Sequence, residues 1–136
     1  MQPKITVFES DSASLWFHPE PGIVHHQFRK PLDSETFQKV LLAGLQLMNE
    51  HHARKWLSDD RGNSSLSADD SAWSQEFWLP RAVKAGWKYW AMVPPEKARG
   101  QLTVQRLTSH VGEESGVTIN LFADPERALQ WLMEQK

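Results

Sequence analysis

The stretch SETFQKVLLAGLQLMNEHHARKWLSDD, residues 34–60, decides the fold, because a helical pattern gives way within it to a buried strand. Its apolar stripe has the spacing of an amphipathic helix and consists of Phe37, Val40, Leu41, Gly44, Leu47 and Met48. Asp33, just before it, is the expected N-cap. The short run KWLS that follows has the length and flanks of a buried strand. The stretch therefore predicts the helix–strand unit from which α/β proteins are built.

Upstream of this unit, three short extended runs are separated by polar or turn-forming residues. They are KITVFE, SLWFH and IVHHQF, and PEPG between the last two has strong turn chemistry. Alternation in the first run places Ile5, Val7 and Phe8 on a buried side. The three runs predict an antiparallel meander.

Downstream, a second helix is expected to begin near Ser67. Ser67 and Asp70 have the spacing of a capping box, and the acidic first turn suits the helix dipole. Pro80 removes a backbone donor inside this helix, so a kink or restart is expected there. Gly86 is a suitable residue to end it.

The remaining runs continue the alternation. WKYWAMV is a buried strand, PEKARGQLTVQRL a helix, SHVGEESG a loop and VTINLF a strand. DPERALQWLMEQK is a helix with Asp124 as N-cap and Pro125 in its first turn. The order predicts a single α/β domain over residues 1–136. Its mixed sheet combines the N-terminal meander with parallel strands that alternate with about four helices.

Composition excludes several classes of function. The chain has 136 residues, 40% hydrophobic and 24% charged, with a formal net charge of -2. This balance gives no electrostatic reason to expect a nucleic-acid partner, and no run approaches the length of a membrane span. The absence of cysteine excludes disulfides and thiolate chemistry. The first residues lack the apolar core of a signal peptide, so a cytoplasmic location is expected.

Motifs for catalysis or metal binding are missing from the sequence. The pairs His25-His26 and His51-His52 are adjacent, and neighbouring residues on a strand or helix do not converge on one ion. There is no Gly-x-Ser-x-Gly elbow and no glycine-rich phosphate loop. We therefore predict no catalytic residue, no metal site and no cofactor.

Seven tryptophans are the one unusual feature of the composition. Most of them are expected to be core or half-buried packing residues. A group at the second helix and the following strand nevertheless supplies more aromatic surface than a domain of this size needs inside, and a contiguous exposed aromatic area marks a binding surface. This group consists of Trp73, Trp78, Trp87, Tyr89 and Trp90. Two classes of function lead: a protein-interaction or regulatory module, with a protein partner or a second copy, and a carrier of a small apolar, lipid-like ligand. An enzyme is the third.

The candidate site lies in SDDRGNSSLSADDSAW, residues 58–73, where a strand is followed by a helix. Open α/β sheets bind ligands at the carboxyl ends of their strands, and the strand delivers the aspartates there. The predicted binding residues are Asp60, Arg61, Ser71, Trp73 and Trp78.

This layout resembles the STAS-like domains, which include anti-sigma-factor antagonists and the cytoplasmic domains of sulfate transporters. The resemblance is carried by WLSDDRGNSSLSADDSAW, AGWKYWAMVPPEK and INLFADPERALQWL. It implies a fold and a regulatory or binding role without an established reaction.

In the antagonists of that family, a strand ending in Asp is followed by Asp-Ser-x-Gly, whose serine accepts phosphate. Asp70-Ser71 stands at the comparable distance from Asp59-Asp60, with Trp73 in place of the glycine. A phosphate on Ser71 would lie close to two aspartates, whose like charge opposes it.

Overall fold

In a computed structural model of the chain, residues 4–62, 67–94 and 115–135 are described. The strands are β1 (Ile5–Glu9), β2 (Ala13–His18), β3 (Ile23–Phe28), β4 (Lys55–Asp59), β5 (Tyr89–Val93) and β6 (Thr118–Leu121). The helices are α1 (Ser34–His51), α2 (Ala68–Trp73), α3 (Leu79–Lys84) and α4 (Pro125–Glu134), with a π-helical turn (Ser74–Trp78) between α2 and α3. The helix expected at PEKARGQLTVQRL and most of the loop SHVGEESG lie outside the described residues.

The six strands form one sheet in the order β1-β2-β3-β4-β5-β6. β1, β2 and β3 are antiparallel neighbours, whereas β3, β4, β5 and β6 are parallel. The predicted α/β fold with a mixed sheet is confirmed, and its predicted parallel strands β4, β5 and β6 are neighbours in the sheet. Because β3 to β6 run in one direction, their carboxyl ends meet at one edge of the sheet, called here the C-terminal edge.

Helix α1 begins and packs largely as its sequence predicts. The Asp33 side chain accepts a hydrogen bond from the backbone N–H of Thr36 at 2.7 Å, which confirms the N-cap. The predicted stripe is buried except for Leu47, which is half-buried, and Leu45 is buried in addition. These side chains join the larger of two cores, on the face of the sheet that α1 covers.

Gly44 allows α1 to approach the sheet closely. A Cβ atom at this position would lie 2.1 Å from Cη2 of Trp56 on β4. That distance is far below van der Waals contact, so a side chain is excluded unless the tryptophan moves. The glycine therefore matches the size of the tryptophan beneath it.

Helix α4 covers the opposite face of the sheet, over β4 and β5. The second core lies here and consists of Ile23, Leu57, Ala91, Val93, Ala128 and Leu132. Asp124 caps the helix by accepting from the backbone N–H of Arg127 at 2.9 Å, as predicted.

The helical run from α2 to α3 changes its winding before Pro80. Proline has no backbone N–H, and the π-helical turn directly precedes the helix in whose first turn it stands. This is the interruption that the sequence predicts. The run ends at Gly86, whose φ of +108° is of the kind that glycine adopts without strain.

Strand β1 departs from the prediction. Ile5 and Val7 were expected on a buried side, but they are 52% and 40% exposed. The register of β1 against β2 shifts between Thr6 and Phe8, so Val7 is the extra residue of a β-bulge. Only Phe8 packs against the larger core. Simple alternation fails from Val7 onward because the bulge changes the face of the residues that follow it. Ile5 precedes the bulge and is exposed on the edge strand of the sheet.

Candidate functional site

The polar residues of the candidate site lie where β3 and β4 end. The parallel register pairs His26 with Ser58 and Gln27 with Asp59. Successive residues of a strand point to opposite faces, so His26 lies on the α1 face and Gln27 and Asp59 on the α4 face. Asp60 and Arg61 follow directly after β4. The C-terminal edge therefore presents two polar groups, one on each face.

On the α4 face, Asp59 and Arg61 form a two-pronged ion pair. Arg61 Nε lies 2.9 Å from Asp59 Oδ1, and Arg61 Nη2 lies 2.9 Å from Asp59 Oδ2. The Asp59 side chain is 2% exposed, whereas that of Arg61 is 39% exposed. The guanidinium compensates the negative charge of the buried carboxylate. The two parallel hydrogen bonds also hold the guanidinium in one orientation at the surface.

A chain of hydrogen bonds extends this pair across the sheet. Gln27 Nε2 donates to Asp59 Oδ2 at 3.5 Å, and Arg29 Nη1 donates to Gln27 Oε1 at 3.0 Å. Arg29 Nη1 also donates to Ser14 Oγ at 2.8 Å, and Nη2 donates to the carbonyl oxygen of Ser10. Arg29 therefore holds the β1–β2 turn against the end of β3, which is a structural use of its charge.

On the α1 face, Trp56, His26 and Asp60 form a hydrogen-bonded row. Trp56 Nε1 donates to His26 Nδ1 at 2.9 Å, and His26 Nε2 lies 2.8 Å from Asp60 Oδ1. The His26 side chain is 5% exposed and that of Asp60 is 16% exposed. The row runs from the core to the C-terminal edge and ends in a carboxylate.

The row fixes which nitrogen of His26 carries the proton. An indole nitrogen only donates hydrogen bonds, so His26 Nδ1 accepts and carries no proton. Nε2 then carries the proton and donates it to Asp60. In an imidazolium ion, Nδ1 would carry a proton as well, and that N–H would face the indole N–H with no acceptor between them. The geometry therefore fits the neutral ring.

Among the residues described, Asp60 is held at the edge by a single side-chain hydrogen bond, from His26. A neutral imidazole orients the carboxylate by a hydrogen bond but supplies no positive charge to compensate it. In the described parts of the chain, the structure gives the Asp60 side chain no partner other than His26. Its backbone N–H is held separately by the carbonyl oxygen of Val93 at 2.9 Å. Asp60 is thus an oriented hydrogen-bond acceptor at the sheet edge.

The start of α2 lies beyond residues 63–66, which are not among those described. Ser67 Oγ accepts from the backbone N–H of Asp70 at 3.0 Å, which confirms the predicted cap. Ser71 is half-buried, and its Oγ accepts from Nε2 of Gln75 at 3.3 Å. The Ser71 hydroxyl therefore contacts a side chain of the π-helical turn that follows α2.

Trp73 lies partly at the surface of the helical run. Its ring meets Phe37 of α1 edge-on at a centroid distance of 6.1 Å and stacks on Phe77 at 5.5 Å. Phe77 is 38% exposed and carries the guanidinium of Arg81 at 3.7 Å from its ring centroid. Trp73 thus connects the core to an exposed aromatic ring and a cation.

Trp78 lies in the interior, away from the surface expected for it. It is 6% exposed, and its Nε1 donates to the carbonyl oxygen of Leu41 at 2.8 Å. It belongs to a row of contacting buried rings, Trp56, Trp78, Trp87 and Trp90, whose successive centroids are 5.1, 5.2 and 5.3 Å apart. The other three tryptophans, Trp16, Trp73 and Trp131, are half-buried. The expectation that most tryptophans are core or half-buried is confirmed, and the expected excess of exposed aromatic surface is wrong for Trp78, Trp87 and Trp90.

His26 and Trp56 are the residues of the site that sequence reasoning missed. In the sequence, His26 stands out only as a member of the adjacent pair His25-His26. Alternation along IVHHQF does place His26 with Val24 and Phe28 on one face, which was a usable signal. Its partners depend on the register of β3 against β4, and no local pattern gives that register.

Two other histidines, His18 and His25, contact each other on the α4 face, away from the C-terminal edge. His18 Nε2 lies 3.2 Å from His25 Nδ1, and His25 meets the ring of Trp16 edge-on at 4.7 Å. Burial lowers the pKa of His25 from 6.5 to about 3, and the positive charge of Lys4 acts in the same direction. His25 is therefore neutral at physiological pH.

Comparison with known proteins leaves the family open. No protein-family model, no curated protein and no solved structure matches the chain. Within the described ranges, no group of three or more His, Asp or Glu residues is placed to hold a metal ion. None of the described helices is long and apolar enough to cross a membrane.

Proposed function

We propose that this chain is a non-catalytic, regulatory protein-interaction module of the STAS-like type that acts in the cytoplasm. It binds a partner protein at the C-terminal edge through Asp60 and Arg61. In this proposal Ser71 and Trp73, on the next helical run, contribute to the same partner-binding surface. The row Trp56–His26–Asp60 is the observation that carries the proposal.

The row supports a binding role because its hydrogen bonds lead from the buried core to the surface. A buried indole orients a buried imidazole, and the imidazole orients a carboxylate that reaches the solvent. Burying polar groups in this way costs free energy unless each is hydrogen-bonded, and here they are. The carboxylate oxygens of Asp60 are therefore held in one orientation at the surface. A fixed hydrogen-bond acceptor of this kind is what recognition of a complementary donor requires.

The same geometry argues against a catalytic base. Both ring nitrogens of His26 are engaged, so the imidazole has no free lone pair for a substrate proton. Asp59 is held by the guanidinium of Arg61, and the hydroxyl of Ser71 accepts from Gln75. A nucleophile paired with a base is thus not formed by these residues.

The lipid-like carrier, weighed above as the alternative, receives no support from the described core. A carrier needs a concave apolar pocket of several hundred cubic ångströms. Between the sheet and the helices of the α1 face, the rings of Trp56, Trp78, Trp87 and Trp90 contact one another in sequence. Along this row each ring packs directly against the next, which leaves no room for a ligand between these four rings.

Affinity capture with an isosteric variant tests the proposal. Asp60→Asn keeps the size of the side chain and an oxygen for His26 Nε2–H, but removes the charge. The wild type and Asp60→Asn are each used as bait in lysate of the source cells, and bound proteins are quantified by mass spectrometry. Lys88→Ala changes an exposed residue beside the opposite ends of the strands and serves as the control.

We expect at least one protein to bind the wild type and the Lys88→Ala control equally. Its recovery with Asp60→Asn should fall roughly tenfold, because a hydrogen bond to a charged group contributes about 1.5–3 kcal/mol. Equal recovery of every bound protein with all three baits would contradict the proposed site.

A further inference from the structure

Strand β1 forms one edge of the sheet and exposes apolar side chains. It pairs with β2 on one side, and Ile5 and Val7 are 52% and 40% exposed. Edge strands present unpaired backbone donors and acceptors, and proteins commonly restrict them with bulges and lysines. β1 has a bulge at Val7 and Lys4 at its start, so any strand that pairs with it must accommodate both.

The bulge sets which side chains of β1 share a face. Thr6 pairs with Trp16 and Phe8 with Leu15, and these two residues of β2 point to opposite faces. Thr6 therefore lies on the α4 face and Phe8 on the α1 face. In a regular strand they would share a face, because they are two residues apart.

Lys4 and Glu9 end up on the same face because of this bulge. Lys4 Nζ lies 4.0 Å from the ring centroid of Trp16, on the α4 face. Glu9 pairs with Ser14, whose Oγ donates to Glu9 Oε1 at 3.3 Å on that same face. The two ends of β1 thus carry opposite charges on one side of the strand.

We propose that β1 pairs in antiparallel fashion with β1 of a second copy of this chain. A two-fold axis perpendicular to the sheet passes between Thr6 and Val7, so that the same patch of both copies forms the contact. Lys4 of each copy then lies opposite Glu9 of the other, and Ile5 lies opposite Phe8. The contact covers the exposed apolar side chains and continues the sheet across both copies.

The faces of the side chains select this register. Directly opposed residues in an antiparallel pair point to the same face. Lys4 and Glu9 share the α4 face, and Ile5 and Phe8 share the α1 face. A shift by one residue in either direction would oppose side chains of different faces. The two-fold symmetry forms the Lys4–Glu9 pair twice, on the side of the sheet away from α1.

Charge reversal gives a test that separates this contact from other modes of association. In Lys4→Glu both ends of β1 are acidic, and in Glu9→Lys both ends are basic, so two copies of the same variant repel each other at this contact. A mixture of the two variants restores both opposite-charge pairs in a mixed dimer. The controls Glu50→Lys and Lys30→Glu make the same charge changes at exposed positions elsewhere.

Sedimentation velocity from about 5 to about 500 µM covers the range expected for a small contact. The wild type and both controls should dimerise. Each single variant should show a dissociation constant at least about tenfold higher, and the equimolar mixture should recover dimers. Far-UV circular dichroism checks that every variant is folded.

The contact is overturned if the wild type stays monomeric throughout, if the single variants dimerise like the wild type, or if the mixture remains monomeric. The C-terminal edge plays no part in this test, so the proposed function stands or falls separately.

Discussion

Acidification should destabilise the fold through His25, and the effect is large enough to measure. His25 is 9% exposed on the α4 face, next to Trp16 and His18. Burial is the main cause that lowers its pKa from 6.5 to about 3, and the positive charge of Lys4 acts in the same direction. The folded protein therefore resists protonation that the unfolded chain accepts.

The sign and size follow from this difference. A histidine whose pKa is lowered by folding contributes its full stability above 6.5 and loses it as the pH falls toward about 3. Between those values the free energy of unfolding changes by about 1.4 kcal/mol per pH unit. We expect a loss of about 2 kcal/mol between about pH 7.5 and about pH 5 from His25 alone.

Urea titrations followed by tryptophan fluorescence measure the effect at a series of pH values. His25→Gln retains a polar side chain but does not titrate, so its stability should fall less over the same pH range. His52→Asn removes an exposed histidine and serves as the control for loss of a histidine elsewhere in the fold. Equal slopes for the wild type and His25→Gln would refute the burial argument, because protonation of His25 would then cost the fold nothing.

Substitutions at three further positions test particular contacts. Ser67→Ala should lower the free energy of unfolding by about 1 kcal/mol, whereas Ser67→Asp should be nearly neutral; equal stability of the alanine variant would argue against the cap. Gly44→Ala should cost about 2 kcal/mol, because its Cβ would lie 2.1 Å from Trp56 Cη2, and urea titration checks this. Burial lowers the pKa of Lys55 from 10.5, so wild-type stability should rise with pH through the folded value toward 10.5. Lys55→Met should remove that rise in alkaline urea titrations, and an unchanged profile would count against it.

Local signals in the sequence predicted most of the fold. Asp33, Ser67 and Asp124 cap helices as expected, because a cap depends on a side chain and a backbone N–H three residues away. The parallel order of β4, β5 and β6 followed from the alternation of helices and strands. The bulge at Val7 was missed because it depends on how β1 pairs with β2.

The candidate site was predicted only in part, for the same reason. Asp60 and Arg61 lie at the C-terminal edge, as the strand end indicated, but Trp78 is buried in the core. The link from His26 to Asp60 spans two strands that are 34 residues apart in sequence at this point. Such a contact depends on sheet register, and composition and spacing carry no information about it.

The proposed binding site depends most on the neutral, oriented ring of His26, and a long-range ¹H–¹⁵N NMR spectrum observes that ring directly. At neutral pH we predict the tautomer with the proton on Nε2, with Nδ1 accepting from Trp56. In Trp56→Phe this preference should weaken, because the indole donor is lost, whereas Trp78→Phe should leave it unchanged. A ring protonated at Nδ1, or at both nitrogens, in the wild type would contradict the claim that His26 presents an uncompensated Asp60 carboxylate to a partner.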